Sequence, residues 1–541
     1  MAVEAAEAAA LWDEARRGKH ARPPSGAPAL LLTLWVRWLP VLLLLLGAEM
    51  RLRQWWAART LWLDEALIAR SLVSRDYVGL VAEPLQGDQA GPVLWLWSTR
   101  LSLDLLGEGE RALRVVSLAA GLAALVLTWR LARHLLPPVL VPVAVGLTVL
   151  SPSLLYFSNE VKPYALDVAV VLGLLLLALR TRSDVRPLAA AGVVAVWASY
   201  ASVFALAGLS LVLVLAALRR EGLRAAVRTA SWLTGWLASL AVSYALVLHR
   251  LRESEILSTF WADTFPDDAG DLPTWLLRRA TGLIRDPLEL AVWPLALALL
   301  AYGLLRLLRT RPRATVLAMS PVPLALVAAA ISAYPFAGRL ALWLVPLGAI
   351  ALAAVLPDRT DRGRPLLLGA VAVAVVAAPM ATRSLPQVVD VYERNELRAV
   401  MERLKDAREP GDLVLVDIPA KAPYDFYTAR TGLGRDGVVL FATEEEVGGR
   451  CNDEAALLTG RFATQRIWVV FAHQLQDTAR LGTREDMLAR IQDVTNIAAT
   501  IEETGAKAVL LDPSAPETSD TTEPRNPDRC LAVVRTVPPT A

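Results

Sequence analysis

Four short segments set ionisable side chains hard against long apolar runs, where a charge is costly unless it is paired, solvated or put to use. The first is Trp62-Leu63-Asp64-Glu65-Ala66, two adjacent carboxylates after an aromatic-rich stretch with Trp55 and Trp56. Such a pair suits a general base, with the second acid binding a metal or raising the pKa of the first. A helix N-terminus, which favours acidic residues, explains the same pair without chemistry. The second segment, Tyr156-Phe157-Ser158-Asn159-Glu160-Val161-Lys162-Pro163-Tyr164, holds a carboxylate, a cation and two phenols. These can line a polar cavity with Lys162 against a phosphate. They can equally be helix caps, with Tyr156 and Tyr164 in an aromatic belt. In the third, Tyr334-Pro335-Phe336-Ala337-Gly338-Arg339, the arginine fits an anionic ligand such as a lipid phosphate, or snorkelling to headgroups. The fourth, Phe260-Trp261-Ala262-Asp263-Thr264-Phe265-Pro266, fits a sugar or lipid contact, or interfacial anchoring.

The elements that must position these residues are membrane helices. In 541 residues, 55% hydrophobic content, 20% charged side chains and a mean hydropathy of +0.43 are too apolar a balance for a soluble enzyme. Runs long enough to cross a bilayer lie near Ala29–Met50, Val115–Leu136, Val139–Leu155, Tyr164–Leu179, Pro187–Tyr200, Val203–Leu218, Ser231–Leu248, Leu288–Leu305, Val316–Ser332, Leu340–Val355 and Pro365–Ala381. That makes about eleven spans, the fifth and sixth short enough to be tilted half-helices. Residues 1–28 are too long and too acidic for a secretory signal, so they read as a cytoplasmic N-terminal segment and the first run as a retained anchor. Arginines mark every second connection: Arg130 and Arg133, Arg180 to Arg186, Arg219 to Arg228, Arg306 to Arg313, and Arg359 to Arg364. The positive-inside rule makes those connections cytoplasmic. The long first loop (51–111), the loop at Ser151–Pro163, the loop at His249–Pro287 and everything after the last span then lie outside.

Residues 384–541 carry 18 basic and 26 acidic side chains, so an acidic tail at −8 follows a membrane part at +10. Nucleic acid suits neither. Within the tail, residues 384–512 read as a small extracytoplasmic α/β domain: helical charge spacing over Glu393–Arg408, then β-branched runs at Asp412–Ile418, Gly437–Phe441, Arg466–Ala472 and Ala508–Asp512. Residues 513–541, rich in Pro, Ser, Thr and Asp, read as partly disordered. Cys451 and Cys530 are the only cysteines and both fall in the tail, which permits one disulfide outside the cytoplasm and leaves free thiols as the alternative. No Walker loop occurs, which argues against nucleotide use.

Residues 30–430 resemble the GT-C glycosyltransferases, in the family-39-like branch related to protein O-mannosyltransferases and the lipid A aminoarabinose transferase. The resemblance rests on L-W-L-D-E-A (61–66), Q-A-G-P-V-L-W-L-W (89–97) leading to G-E-G-E-R-A-L-R (107–114), S-N-E-V-K-P-Y-A-L-D (158–167) and Y-P-F-A-G-R-L (334–340). It implies a GT-C fold over 29–383 in the cell membrane and inverting transfer of one sugar from a polyprenyl-phosphate donor to a lipid, glycan or protein acceptor. It carries the first-loop acid over to Asp64 as catalytic base, with Glu65 beside it. It assigns Glu160 and Tyr164 to substrate contacts, and Lys162 and Arg339 to the donor phosphate. One departure is that many relatives have His-Pro-Pro where this chain has Asp88-Gln89-Ala90-Gly91-Pro92.

The implied chemistry agrees with the residue types. A lipid-linked sugar phosphate already carries a good leaving group, so a base and phosphate-facing cations suffice without a nucleotide. No His/Cys ligand set exists, and Asp64, Glu65 and Glu160 would suit Mg²⁺ or Mn²⁺ only loosely. A second reading, a lipid or glycolipid transporter or flippase, needs a site near the midplane between repeated halves; no repeat is visible and the charges cluster at one boundary. A third is an inactive scaffold whose outer domain binds a partner.

Overall fold

A computed structural model of the chain describes residues 33–181, 184–252, 254–268, 270–357, 363–433, 438–441, 465–472, 497–512, 514 and 534–536. The expectations for residues 1–28, for the pairing of Cys451 with Cys530 and for most of 513–541 lie outside the described residues.

Among the described residues, each apolar run contains helix. Among the described residues, six helices are long and apolar enough to cross a membrane: Glu110–Leu135, Ser202–Glu221, Leu223–Leu248, Trp293–Thr310, Pro312–Ala330 and Arg364–Val388. Pro138–Val149, Arg186–Ala198 and Leu344–Ala353 are shorter apolar helices, and Leu39–Trp56 and Tyr164–Arg180 complete the bundle. The chain is a multi-pass membrane protein. Two breaks have local causes. The run at Val139–Leu155 splits into Val141–Val149 and Pro152–Phe157, because Pro152 lacks the N–H that would continue the ladder and Ser151 caps the new helix through Leu154 N–H. The pair expected as half-helices is two helices, Arg186–Ala198 and Ser202–Glu221, turned at Ser199, whose hydroxyl donates to Asp167 at 2.6 Å and accepts from Ser202 N–H.

The first loop folds into helices Leu63–Ser74 and Val93–Leu106 before the long helix Glu110–Leu135 begins. Beyond the last membrane helix, helix Leu397–Ala407 leads into a six-stranded sheet of β1 (Leu413–Val416), β2 (Val438–Phe441), β3 (Ile467–Ala472), β4 (Ile497–Glu503), β5 (Ala506–Leu511) and β6 (Val534–Thr536), in the order β4-β5-β3-β1-β2-β6. β1 runs parallel to β2 and β3; the remaining pairs are antiparallel. The sequence runs mark β1, β2, β3 and β5. β4, with its paired acids and three exposed residues in a row, lacks the alternation of a half-buried strand, and β6 is only three residues long.

The domain and the first loop share one apolar core. Leu61, Ile68, Leu72, Leu80, Trp95 and Leu103 from the loop pack in the same cluster as Leu397, Met401, Val414, Tyr427 and Trp468 from the domain. Helix Ile418–Thr431 lies against helix Leu63–Ser74, clamped at its edge by Arg70 and Asp425 at 3.0 Å. The sheet domain therefore sits on the same side of the bundle as the acid pair.

Candidate active site

The acid pair opens helix Leu63–Ser74, and the two carboxylates find different partners. Glu65, at the third helical position, closes a capping interaction by accepting Trp62 N–H at 2.9 Å. Its carboxylate also forms a two-point ion pair with Arg114, Nε to Oε1 at 3.0 Å and Nη2 to Oε2 at 2.8 Å, and accepts Val161 N–H at 2.8 Å. Both side chains are 1% exposed. Burial works to raise the Glu65 pKa, but Arg114 and then Arg59 outweigh it and hold this carboxyl below its ordinary value. Glu65 thus ties three pieces of chain together: the start of its own helix, the long helix through Arg114, and the 158–163 loop. Arg114 also donates to Arg59 C=O at 2.6 Å, fixing the stretch that leads into the pair.

Asp64 accepts instead from Arg339 Nη1 at 3.1 Å, the two side chains being 25% and 28% exposed. The Arg339 guanidinium lies 5.6 Å from the Tyr164 ring centroid, 5.7 Å from Phe260 and 5.8 Å from Trp261, so the third-loop aromatic patch meets the third-segment arginine. Arg339 Nε is buried without a partner. Gly338 sets the approach: its φ is +47°, and a Cβ there would meet Asp286 Oδ2 at 2.8 Å. Asp286 adds a second acid beside the arginine, its pKa raised by burial against the opposing pull of Arg339.

The 158–163 loop lies behind this pair. The long helix passes directly beneath it, since a Cβ on Gly121 would collide with Ser158 Oγ. Glu160 is buried; Oε1 accepts from Tyr156 OH at 3.4 Å, while Oε2 has no partner. Burial first, and Glu65 second, push its pKa up to about 7. Lys162 is also buried, its Nζ bonded to Gln89 Oε1 and its backbone C=O bonded by Ser117. Burial lowers the Lys162 pKa, with Asp64 the largest opposing influence. Asp64, Lys162, Glu160, Tyr164 and Arg339 therefore share one electrostatic neighbourhood, and Glu65 frames it.

The three acids weighed as metal ligands do not fit an ion together, because Glu65 spends its oxygens on Arg114 and two backbone N–H groups. Among the described residues, no group of three or more His, Cys, Asp or Glu could hold a metal ion. Gln89, Arg114, Asp286 and Arg59 went unnamed as site residues in the sequence reading. Two had a usable signal: Gln89 and Arg114 bound the motif stretches 89–97 and 107–114, and Arg114 follows Glu110 by one helical turn at the start of an apolar run. Asp286 had none, being joined to Arg339 only by the tertiary fold.

No family model and no curated protein matches the chain. Among solved structures, it is similar to ArnT from Cupriavidus metallidurans. The apo state matches at 17% identity over 86% of this chain and 97% of that one, with a TM-score of 0.47. The form bound to undecaprenyl phosphate matches at 17% identity over the same shares, with a TM-score of 0.49. The archaeal oligosaccharyltransferase AglB from Archaeoglobus fulgidus, in complex with an inhibitory peptide and a dolichol-phosphate, matches at 12% identity over 88% of this chain and 74% of that one, with a TM-score of 0.45. At such identities and scores a functional reading has to rest on the geometry of the site.

Proposed function

We propose that the chain is an integral-membrane inverting glycosyltransferase that moves one sugar from a polyprenyl-phosphate donor to a lipid, glycan or protein acceptor on the extracytoplasmic side. The observation that carries this reading is the half-open Asp64–Arg339 pair at 3.1 Å, backed by the buried side chains of Lys162 and Glu160 and bordered by Phe260 and Trp261. Asp64 takes the proton of the acceptor hydroxyl as its oxygen attacks the anomeric carbon. The bond from that carbon to the phosphate oxygen breaks, and the departing lipid phosphate keeps the electron pair. Arg339 and Lys162 meet its growing negative charge. A single displacement of this kind inverts the anomeric centre.

The same pair suggests an order of events. Without ligand, Arg339 is the ionic partner of Asp64. A donor phosphate competes for the guanidinium, which binds phosphate in two-point fashion, and so frees Asp64 when the leaving group is in place. Glu65 stays in its ion pair with Arg114 and positions the helix that carries the base. The arginine-marked connections are cytoplasmic in this reading, all the apolar segments cross, and the sheet domain lies outside.

The test is transfer by the purified chain in proteoliposomes, using radiolabelled sugars on undecaprenyl and dolichol phosphate. It is run with chelator and with Mg²⁺ or Mn²⁺, beside a flux assay for the same lipids. Consumption of one donor with label appearing on an acceptor supports the reading. Lipid movement across the bilayer without sugar transfer overturns it in favour of a transporter.

A further inference from the structure

The sheet domain reaches the segment that leads into the site through several polar contacts. Tyr427, fully buried on helix Ile418–Thr431, donates its hydroxyl to Glu110 Oε1 at 3.0 Å and accepts Leu61 N–H at 2.9 Å. Arg398 reaches the same Glu110 oxygen at 2.6 Å. One residue before Leu61, Thr60 Oγ donates to Glu396 Oε2 at 3.0 Å. Glu110 opens the long helix, and Arg114 lies one turn further along the same face. Glu110 acts on Arg114 through its charge and not through a bond between them, and Arg114 in turn is bonded to Glu65, which accepts Trp62 N–H and Val161 N–H. The residues entering the acid pair are therefore held at consecutive points: Arg59 C=O by Arg114, Thr60 by Glu396, Leu61 by Tyr427 and Trp62 by Glu65.

Docking alone does not call for this arrangement. The apolar core that joins loop and domain already supplies adhesion, and Arg70–Asp425 adds an ion pair at the margin. A phenol buried at such an interface satisfies one hydroxyl with a single partner; here it serves as both donor and acceptor between two parts of the first loop. Its geometry is restrictive, because moving Leu61 or Glu110 leaves a buried polar group unpaired.

From this we propose that Tyr427 and Glu110 are positioning residues, through which the sheet domain sets the placement of Asp64 and of the 158–163 loop. The proposal rests on the reading of Asp64 as the base, and it gives the domain a part in turnover without giving it a contact to substrate. Displacing a catalytic group by about 1 Å costs on the order of 10²-fold in rate, and loss of one hydroxyl shifts the group by less.

The test compares Tyr427→Phe, which keeps the ring and removes the hydroxyl, with Arg70→Ala, which breaks the marginal ion pair and leaves those contacts intact. Tyr427→Phe should lower kcat about 10-fold with KM for donor unchanged, since the binding cations are untouched. Arg70→Ala should leave kcat unchanged. Hydrogen exchange in lipid gives a second readout that needs no turnover. Tyr427→Phe should speed exchange at Val161, whose N–H is bonded to Glu65 and not to Tyr427, as well as at Leu61; Arg70→Ala should speed neither. Wild-type exchange at Val161 in Tyr427→Phe overturns the proposal, as does an equal loss of kcat in both variants. If the wild type transfers no sugar, the glycosyltransferase reading falls, and the exchange result at Val161 still decides whether the domain positions this loop.

Discussion

Two acids adjacent in the chain make two ion pairs with opposite properties. Glu65–Arg114 is closed: both side chains are 1% exposed, and the carboxylate accepts two guanidinium and two backbone N–H bonds. Asp64–Arg339 is open: both groups are about a quarter exposed, they share one bond, and Arg339 Nε has no partner. A buried pair recovers its desolvation cost only when its remaining lone pairs are satisfied, and it is then hard to move. A partly exposed pair is weak and exchangeable. The closed pair fits a structural part and the open pair one whose partners change during a reaction, and a single helix start orients both.

Breaking the closed pair should have the largest effect. Arg114→Ala leaves a buried, unpaired Glu65 and should cost about 3–5 kcal/mol of stability, read as loss of folded protein or a large fall in Tm in detergent. Combining it with Glu65→Leu should not restore stability, because Trp62 and Val161 N–H then lose their acceptor. Arg339→Ala should leave Tm nearly unchanged and weaken donor binding by about 10- to 150-fold, the worth of a charge-assisted hydrogen bond of about 1.5–3 kcal/mol. Arg339→Lys should lose less, and the comparison is made by titrating labelled donor. Gly338→Ala tests whether the open pair depends on backbone placement. A side chain at φ +47° facing Asp286 should cost about 1–2 kcal/mol and displace Arg339 from Asp64, so Tm and donor affinity should fall together.

The smallest effect is in pH, where neighbouring acids have opposite signs. Glu160, raised to about 7 from an ordinary 4.5, keeps its proton in the folded chain where the unfolded chain has lost it, so its contribution to stability falls as pH rises through that window. Glu65, held below its ordinary value, contributes fully above that value and loses its contribution as pH falls through the lower folded one. Glu160→Gln should flatten the upper part of a Tm-against-pH profile and leave the acid side unchanged. An unaltered upper part would mean that Glu160 does not hold its proton in the folded chain.

Much of this was legible in the sequence, for physical reasons that differ by element. Membrane helices declare themselves because lipid demands long apolar runs, but the break at Pro152 inside the single run expected over Val139–Leu155 came only with the structure. The acid pair and the 158–164 segment stood out because charges beside apolar runs need an explanation. Which acid of the pair would be closed was not readable, since helix periodicity turns adjacent side chains about 100° apart but does not say which finds an arginine 49 residues away. The meeting of Arg339 with Asp64, 275 residues apart, and with Asp286 likewise belongs to the tertiary fold. β4 stayed hidden because an edge strand with a solvent face can be polar.

The most direct test of the central claim is sugar transfer by Asp64→Asn in proteoliposomes, with donor binding measured on the same preparation. Asparagine keeps the size and one hydrogen-bonding oxygen but removes the base. Turnover should fall by roughly 10²–10⁴-fold, while Tm and donor affinity stay close to wild type, because the Glu65–Arg114 pair is untouched. Near-normal transfer by Asp64→Asn would contradict the account and move the open pair from chemistry to structure.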